Sequence, residues 1–166
     1  MLEKAHGGRL FGLDMSGLVL SKAKGKLKGM VYLLQGDAQH LPFKDQVFRN
    51  IICSEVLEHL PDPSASLGEI RRVLDDQGMA VISVPNEFWI NRAKRVLVHM
   101  RLFRWFSRSE NYQEMPERMQ DEWHLHAFRI EEWLDIFERS FRISRLRRVP
   151  FFWLPLRYVI RLEKKG

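Results

Sequence analysis

The chain has 166 residues, 45% hydrophobic and 29% charged, the balance of one ordinary soluble domain able to bury roughly two thirds of its unfolded surface without covalent staples. The single Cys53 excludes an intramolecular disulfide and a multi-cysteine zinc site, and it fits a reducing compartment. The longest apolar run, Val149 to Leu156, holds two prolines and is far short of the ~20 residues of a spanning helix; the N-terminus has no apolar core of signal-peptide length, so the cytoplasm is the default location.

Net charge is +6, and its location is informative. Residues 1–86 hold 10 basic and 10 acidic side chains, so residues 87–166, with 17 and 11, carry the whole surplus. Such an excess attracts nucleic acid or anionic lipid; it equally describes a solvated face rich in arginine.

In chain order, short apolar runs fall at Arg9–Asp14, Val31–Gln35, Val47–Ser54 and Met79–Val84. They are apolar on successive residues, which suits strands covered on both faces of a parallel sheet. Between them, Ser16–Lys28 reads as a helix closed by Gly29. Asp62-Pro63 starts another, with Leu67, Ile70 and Val73 on one side and Gly78 after its end. Residues 88–108 read as an amphipathic helix or helix pair, with Trp89, Ala93, Val96, Leu97, Met100 and Phe103 on one side and arginines mostly on the other. Ser109–Glu122 is polar and reads as a loop. Ile130, Trp133, Leu134 and Phe137 have helical spacing. Phe141–Val149 and Tyr158–Leu162 complete the strands, joined by the aromatic loop Phe151-Phe152-Trp153-Leu154.

Alternating strands and helices predict an α/β layer fold with right-handed crossovers. No repeat or long linker divides the chain. Residues 1–166 are therefore read as one domain, with 87–122 inserted as a helical cover. In such sheets ligands bind beyond the carboxyl ends of the strands. The residues there are Asp14, Gly36-Asp37-Ala38, Ser54-Glu55 and Pro85-Asn86. A carboxylate at the end of a nucleotide-binding strand can accept both hydroxyl protons of a ribose; Asp14 equally suits a helix cap or a solvated turn.

The ordered series Gly36-Asp37-Ala38, Leu41-Pro42-Phe43, Val47-Phe48, Cys53-Ser54-Glu55-Val56-Leu57-Glu58-His59-Leu60, Pro63, Glu69-Ile70, Arg72-Val73-Leu74, Gly78 and Ser83-Val84-Pro85-Asn86 resembles the class I S-adenosylmethionine-dependent methyltransferases. Within them it is most similar to the small-molecule group that includes the ubiquinone and menaquinone biosynthesis enzymes. The resemblance covers residues 9–149. It implies a Rossmann-like methyltransferase fold, mostly parallel with helices on both faces, and S-adenosylmethionine as cofactor. By motif, Asp14 would hold the cofactor ribose, and Asp37 would accept from the adenine amino group with the Ala38 amide facing the ring. Leu41 and Phe43 would be apolar neighbours of the adenine or simply pack a loop on the sheet. Ser54 and Glu55 would lie near the methyl group and the acceptor.

Methyl transfer from a sulfonium is an in-line displacement, driven largely by positioning and exclusion of water. A base is needed only where the acceptor must lose a proton, and the candidates are His59 and either His124 or His126, with His126 taken as the second. If the segment is helical, Glu55, Glu58 and His59 share one face, and in some ubiquinone-pathway relatives the matching residues are thought to bind a divalent metal. No metal is assigned here, since Glu58 and His59 equally serve as local supports of a helix start. His124 and His126 alternatively cap the following helix or face solvent.

The family's glycine-rich turn after its first strand should precede Arg9, and only eight residues stand there. The expectation is therefore a family domain whose first central strand and glycine loop are missing. Three readings follow: a methyltransferase of a small, prenylated or lipid-like acceptor; a non-catalytic methyltransferase-like binding or scaffolding protein; and a membrane-peripheral module built on residues 88–108 and 151–154, compatible with either. A homodimer through exposed strand edges is a further expectation. Nucleic acid is not.

Overall fold

The computed structural model describes residues 9–27, 31–90, 92, 126, 128–151 and 155–165. Strand β1 (Leu10–Asp14) leads into helix α1 (Gly17–Lys26) and strand β2 (Val31–Gln35). Strand β3 (Phe48–Ser54) is followed by a single 3-10 turn (Leu57–His59), helix α2 (Pro63–Val73) and strand β4 (Leu74–Pro85). Helix α3 (Ile130–Ser140) precedes strands β5 (Phe141–Pro150) and β6 (Pro155–Lys164). The expected cover, 87–122, lies outside the described residues except for its first turn, where the backbone becomes helical from Glu87.

The helix starts follow from capping chemistry. Asp62 accepts from the amides of Ser64 and Ala65 at 2.9 and 3.1 Å, with Pro63 at the position where its missing N–H has no partner to lose. Ser16 accepts from Val19 N at 3.3 Å. At α3 the Glu132 carboxylate takes the Arg129 amide at 2.6 Å, satisfying a donor that the helix itself cannot.

The strands form two sheets. β1 and β2 are parallel partners; the second sheet has the order β3-β4-β6-β5. β3 and β4 are parallel, whereas β6 inserts antiparallel between β4 and β5. Among the described residues, neither β1 nor β3 has a ladder partner on its second side. Yet the two sheets start together: the Phe11 ring of β1 meets Phe48 of β3 at 5.7 Å and Phe43 at 5.6 Å.

The core lies on one face of the four-stranded sheet. Leu67 and Ile70 of α2 and Trp133 and Phe137 of α3 close over Ala80, Ile82, Val84, Ile160 and Leu162, all buried. A fully buried side chain of this kind contributes about 1.5–3 kcal/mol relative to exposure. By contrast α1 buries none of its residues, and Leu18 and Val19 are exposed. It meets β1 and β2, where Leu20 and Ala23 are only part-buried.

Gly78 does not close α2. That helix ends at Val73, and Gly78 is buried within β4. Residues 75–78 bulge out of the ladder, since Phe48 pairs with Leu74 but Asn50 with Met79. A Cβ at Gly78 would stand 2.9 Å from Asp75 O and 3.0 Å from Arg49 O, so close backbone approach explains the glycine.

Cys53 lies on the covered face of β3, partly buried. Burial, and next the Glu58 charge, push its thiol up to about 12. The folded chain thus keeps the proton where an unfolded one, at its ordinary 9.0, releases it, so this group's contribution to stability declines as pH rises from 9.0 towards 12. Iodoacetamide at pH 8 should label Cys53 slowly in the native state and rapidly in denaturant; equal rates would contradict this burial.

Candidate active site at the carboxyl ends of the strands

β1 and β2 end together, with Gly36 N donating to Asp14 O at 3.1 Å. Asp14 Oδ1 accepts from Ser16 N at 2.7 Å, a turn contact ahead of the helix, whose N-cap is Ser16 and not Asp14. Among the described residues Oδ2 carries no hydrogen bond, which leaves it able to accept from a hydroxyl. Asp37 Oδ1 accepts from Gln39 N at 2.8 Å, and Oδ2 meets His40 Nδ1 at 3.1 Å. The Gln39 amide first, and His40 next, hold this half-buried carboxyl below the usual carboxylate range. One bond per oxygen leaves each with acceptor capacity. Ala38 packs against the core beside it.

A clasp fixes the loop that follows. The Arg72 guanidinium donates to Leu41 O at 3.0 Å, Phe43 O at 2.8 Å, Asp45 at 2.7 Å and both Glu69 oxygens. Glu69 Oε2 in turn accepts from Leu41 N at 2.7 Å. Hydrogen bonds from Arg72 hold Glu69 ionised below its ordinary range. A planar fork with five donors can make this set and an ammonium cannot. Arg72→Lys should therefore lower Tm and speed hydrogen exchange at the Leu41 amide; unchanged exchange would show that the loop stands without the clasp.

Ser54 and Glu55 join a polar chain at the end of β3 and β4. Ser54 Oγ and Ser83 Oγ are 2.9 Å apart, Ser83 Oγ donates to Glu55 Oε1 at 2.8 Å, and Arg157 lies 3.8 Å from Glu55 Oε2. Glu55 has φ 52, a left-handed backbone that a residue with a Cβ adopts at a cost. Ser83 and Arg157 escaped prediction as site residues. Ser83 was legible as the residue across from Ser54 on the next parallel strand, whereas Arg157 comes from β6, which only the antiparallel insertion brings here.

The structure overturns the shared helical face of Glu55, Glu58 and His59. Glu55 precedes the helical turn, Glu58 is buried, and His59 is 39% exposed with its Nε2 4.0 Å from Glu58 Oε1. No cluster of three metal-ligating side chains occurs among the described residues. His124 lies outside them. His126 neither caps α3 nor simply faces solvent. Its amide donates to Glu58 O at 3.2 Å, its Nε2 is 2.9 Å from Leu60 O, and its ring stacks on Phe128 at 4.7 Å. A carbonyl partner places the proton on Nε2 and leaves Nδ1 as the basic nitrogen.

Asn86 is buried and ties β4 to β6, with Nδ2 donating to Tyr158 Oη at 2.9 Å and its amide to Leu156 O at 2.9 Å. Burial raises the Tyr158 hydroxyl above its ordinary range, with Arg148 opposing in part.

These acceptors fit the adenosine end of S-adenosylmethionine. Groups for its amino-acid end are not among the described residues, where no glycine-rich turn follows a strand between β1 and β3. No helix of the described residues is long and apolar enough to cross a membrane.

A family model described as methyltransferase domain matches residues 1–82. The demethylmenaquinone methyltransferase of Staphylococcus saprophyticus is 40% identical over 84 residues, 48% of this chain and 36% of that protein. That of Staphylococcus carnosus is 42% identical over 84 residues, 48% of this chain and 35% of that one. The match thus spans about a third of the length of these curated relatives. Among solved structures, a SAM-dependent methyltransferase from Thermotoga maritima aligns with TM-score 0.67 and 18% identity, covering 94% of this chain and 73% of its own. One from Aquifex aeolicus aligns with TM-score 0.64 and 16% identity, covering 95% and 70%. The structural likenesses establish the fold.

Proposed function

We propose that this chain, which belongs to the class I S-adenosylmethionine-dependent methyltransferase family through the methyltransferase domain at residues 1–82, serves methyl transfer from S-adenosylmethionine to a small, lipid-like quinone ring. The observation that carries the reading is the placement of acceptors at the carboxyl ends of β1, β2 and β3, Asp14, Asp37 and Glu55. The 40% identity to demethylmenaquinone methyltransferases supports the acceptor class. When bound, the cofactor supplies an electrophilic methyl group on a sulfonium.

The chain's own residues would then bind and orient. Asp14 accepts from the ribose hydroxyls and Asp37 from the adenine amine, with Ala38 against the ring. Ser54, Ser83 and Glu55 line the approach to the methyl group. For an acceptor that must lose a proton, His126 Nδ1 or the part-exposed His59 takes it. Most of the acceleration comes from holding donor and acceptor in line with water excluded. A cytoplasmic location, a homodimer through the free edges of β1 and β3, and a helical cover over 87–122 belong to the same reading.

The test is a chimera in which the first strand and glycine loop of the Staphylococcus saprophyticus relative precede Met1. It should bind S-adenosylhomocysteine in calorimetry and methylate a demethylated quinone. Asp14→Ala should weaken binding by on the order of 1–3 kcal/mol, and Asp37→Ala in the same direction. Folded variants that bind as tightly as the parent chimera would defeat the assignment.

A further inference from the structure

The four-stranded sheet has a second face that α2 and α3 leave open. On β6 the side chains of Arg157, Val159, Arg161 and Glu163 alternate away from the buried Tyr158, Ile160 and Leu162. Their register partners on β5 are Val149, Arg147, Arg145 and Arg142. Two adjacent strands thus present five arginines on one side, all exposed. Arg145 stands directly opposite Arg161, a like-charge pairing that opposes the fold unless an anion lies between. Glu163 is shared by Arg142 at 2.5 Å and Arg161 at 3.0 Å. Among the described residues, Arg145 and Arg147 face no carboxylate.

The same face continues across β4 and β3 as Met79, Val81 and the 77% exposed Ile52, with Asn50 beside Met79 and the site's Ser83 and Ser54 at its far end. Two further exposed rings mark one end of it. Phe151 follows β5 and Phe88 follows β4. Because Pro85 pairs with Arg157, and Pro150 with Pro155, both rings lie at the end of the sheet that carries Glu55.

We propose that this face seats on an anionic lipid surface, with the arginines of β5 and β6 over headgroup phosphates and Phe88 and Phe151 at the rim beside the mouth of the site. A nucleic-acid backbone would satisfy the arginines but leave the adjoining apolar strip and rings in water. A lipid interface answers both, since charge and apolar depth lie within a few ångströms of each other there. The proposal rests on the quinone reading only for its purpose, the delivery of a membrane-dissolved acceptor; its test reads binding, so the two can fail separately.

Flotation of the 166-residue chain with phosphatidylcholine vesicles, with and without about one quarter phosphatidylglycerol, measures it. The bound fraction should be about tenfold higher on the anionic vesicles and fall steeply as salt shortens the Debye length. Arg145→Glu with Arg147→Glu should abolish the difference. Lys22→Glu with Lys24→Glu, the same change in net charge placed on α1, should leave most of it. Phenylglyoxal labelling read by peptide mass spectrometry should show Arg145, Arg147 and Arg161 protected by anionic vesicles in the unmutated chain. Equal loss in both double variants, no preference for anionic vesicles, or arginines protected by duplex RNA but not by vesicles would each overturn the proposal. S-adenosylhomocysteine binding by the chimera is untouched by any of these outcomes.

Discussion

By itself, the polypeptide of residues 1–166 should bind S-adenosylmethionine weakly or not at all and give no detectable methyl transfer. Among the described residues β1 and β3 each have one edge without a ladder partner and are not paired to each other, so backbone donors and acceptors there must find water or another strand. Each such group left unmade in a buried setting costs about 1–3 kcal/mol, against a total domain stability of about 5–15 kcal/mol. Exposed Leu10, Phe11, Leu18 and Val19 on the β1–α1 side indicate that the two-stranded unit is the weaker part. Calorimetry and a radiolabelled transfer assay check the expectation. A monomeric chain with micromolar affinity would overturn it.

The largest single-site loss of stability is expected at Phe137→Ala. Phe137 is fully buried, its ring stacks on Trp133 at 5.8 Å, and Trp133 in turn meets Phe128 at 5.1 Å. Truncation removes the transfer free energy of the ring and leaves a cavity between α3 and the sheet, about 3–5 kcal/mol together. Because Phe128 stacks on His126, the same substitution should loosen the docking of His126 onto Leu60 O. Denaturant unfolding gives the magnitude. A change below about 1 kcal/mol would mean that the site collapses to fill itself.

Elements with a local physical signature were legible in the residues alone. Asp62-Pro63 announced α2 at its true first turn, Ser16 announced α1, and the spacing of Ile130, Trp133 and Phe137 announced α3. Strand positions followed from short apolar runs, but β4 begins at Leu74 rather than Met79 because the Asp75–Gly78 bulge interrupts the apolar pattern while the ladder continues. The antiparallel insertion of β6 was not legible, since pairing partners far apart in sequence leave no periodic trace. Strand-end acids were found because their place in the chain defines them. The fates of Glu58 and His126 were not, because burial of a carboxylate and a ring nitrogen on a main-chain oxygen are set by tertiary contacts.

The backbone at Glu55 has a consequence for anyone who tries to improve this protein by heat selection. Its left-handed conformation is one in which glycine rests comfortably and glutamate does not, by roughly 1 kcal/mol. Thermal robustness and the carboxylate therefore pull this codon in opposite directions, as is common where a site holds strain. A library screened only for survival at high temperature would drift towards the achiral residue, and the more stable its winners, the emptier the mouth of the crevice beside Ser83.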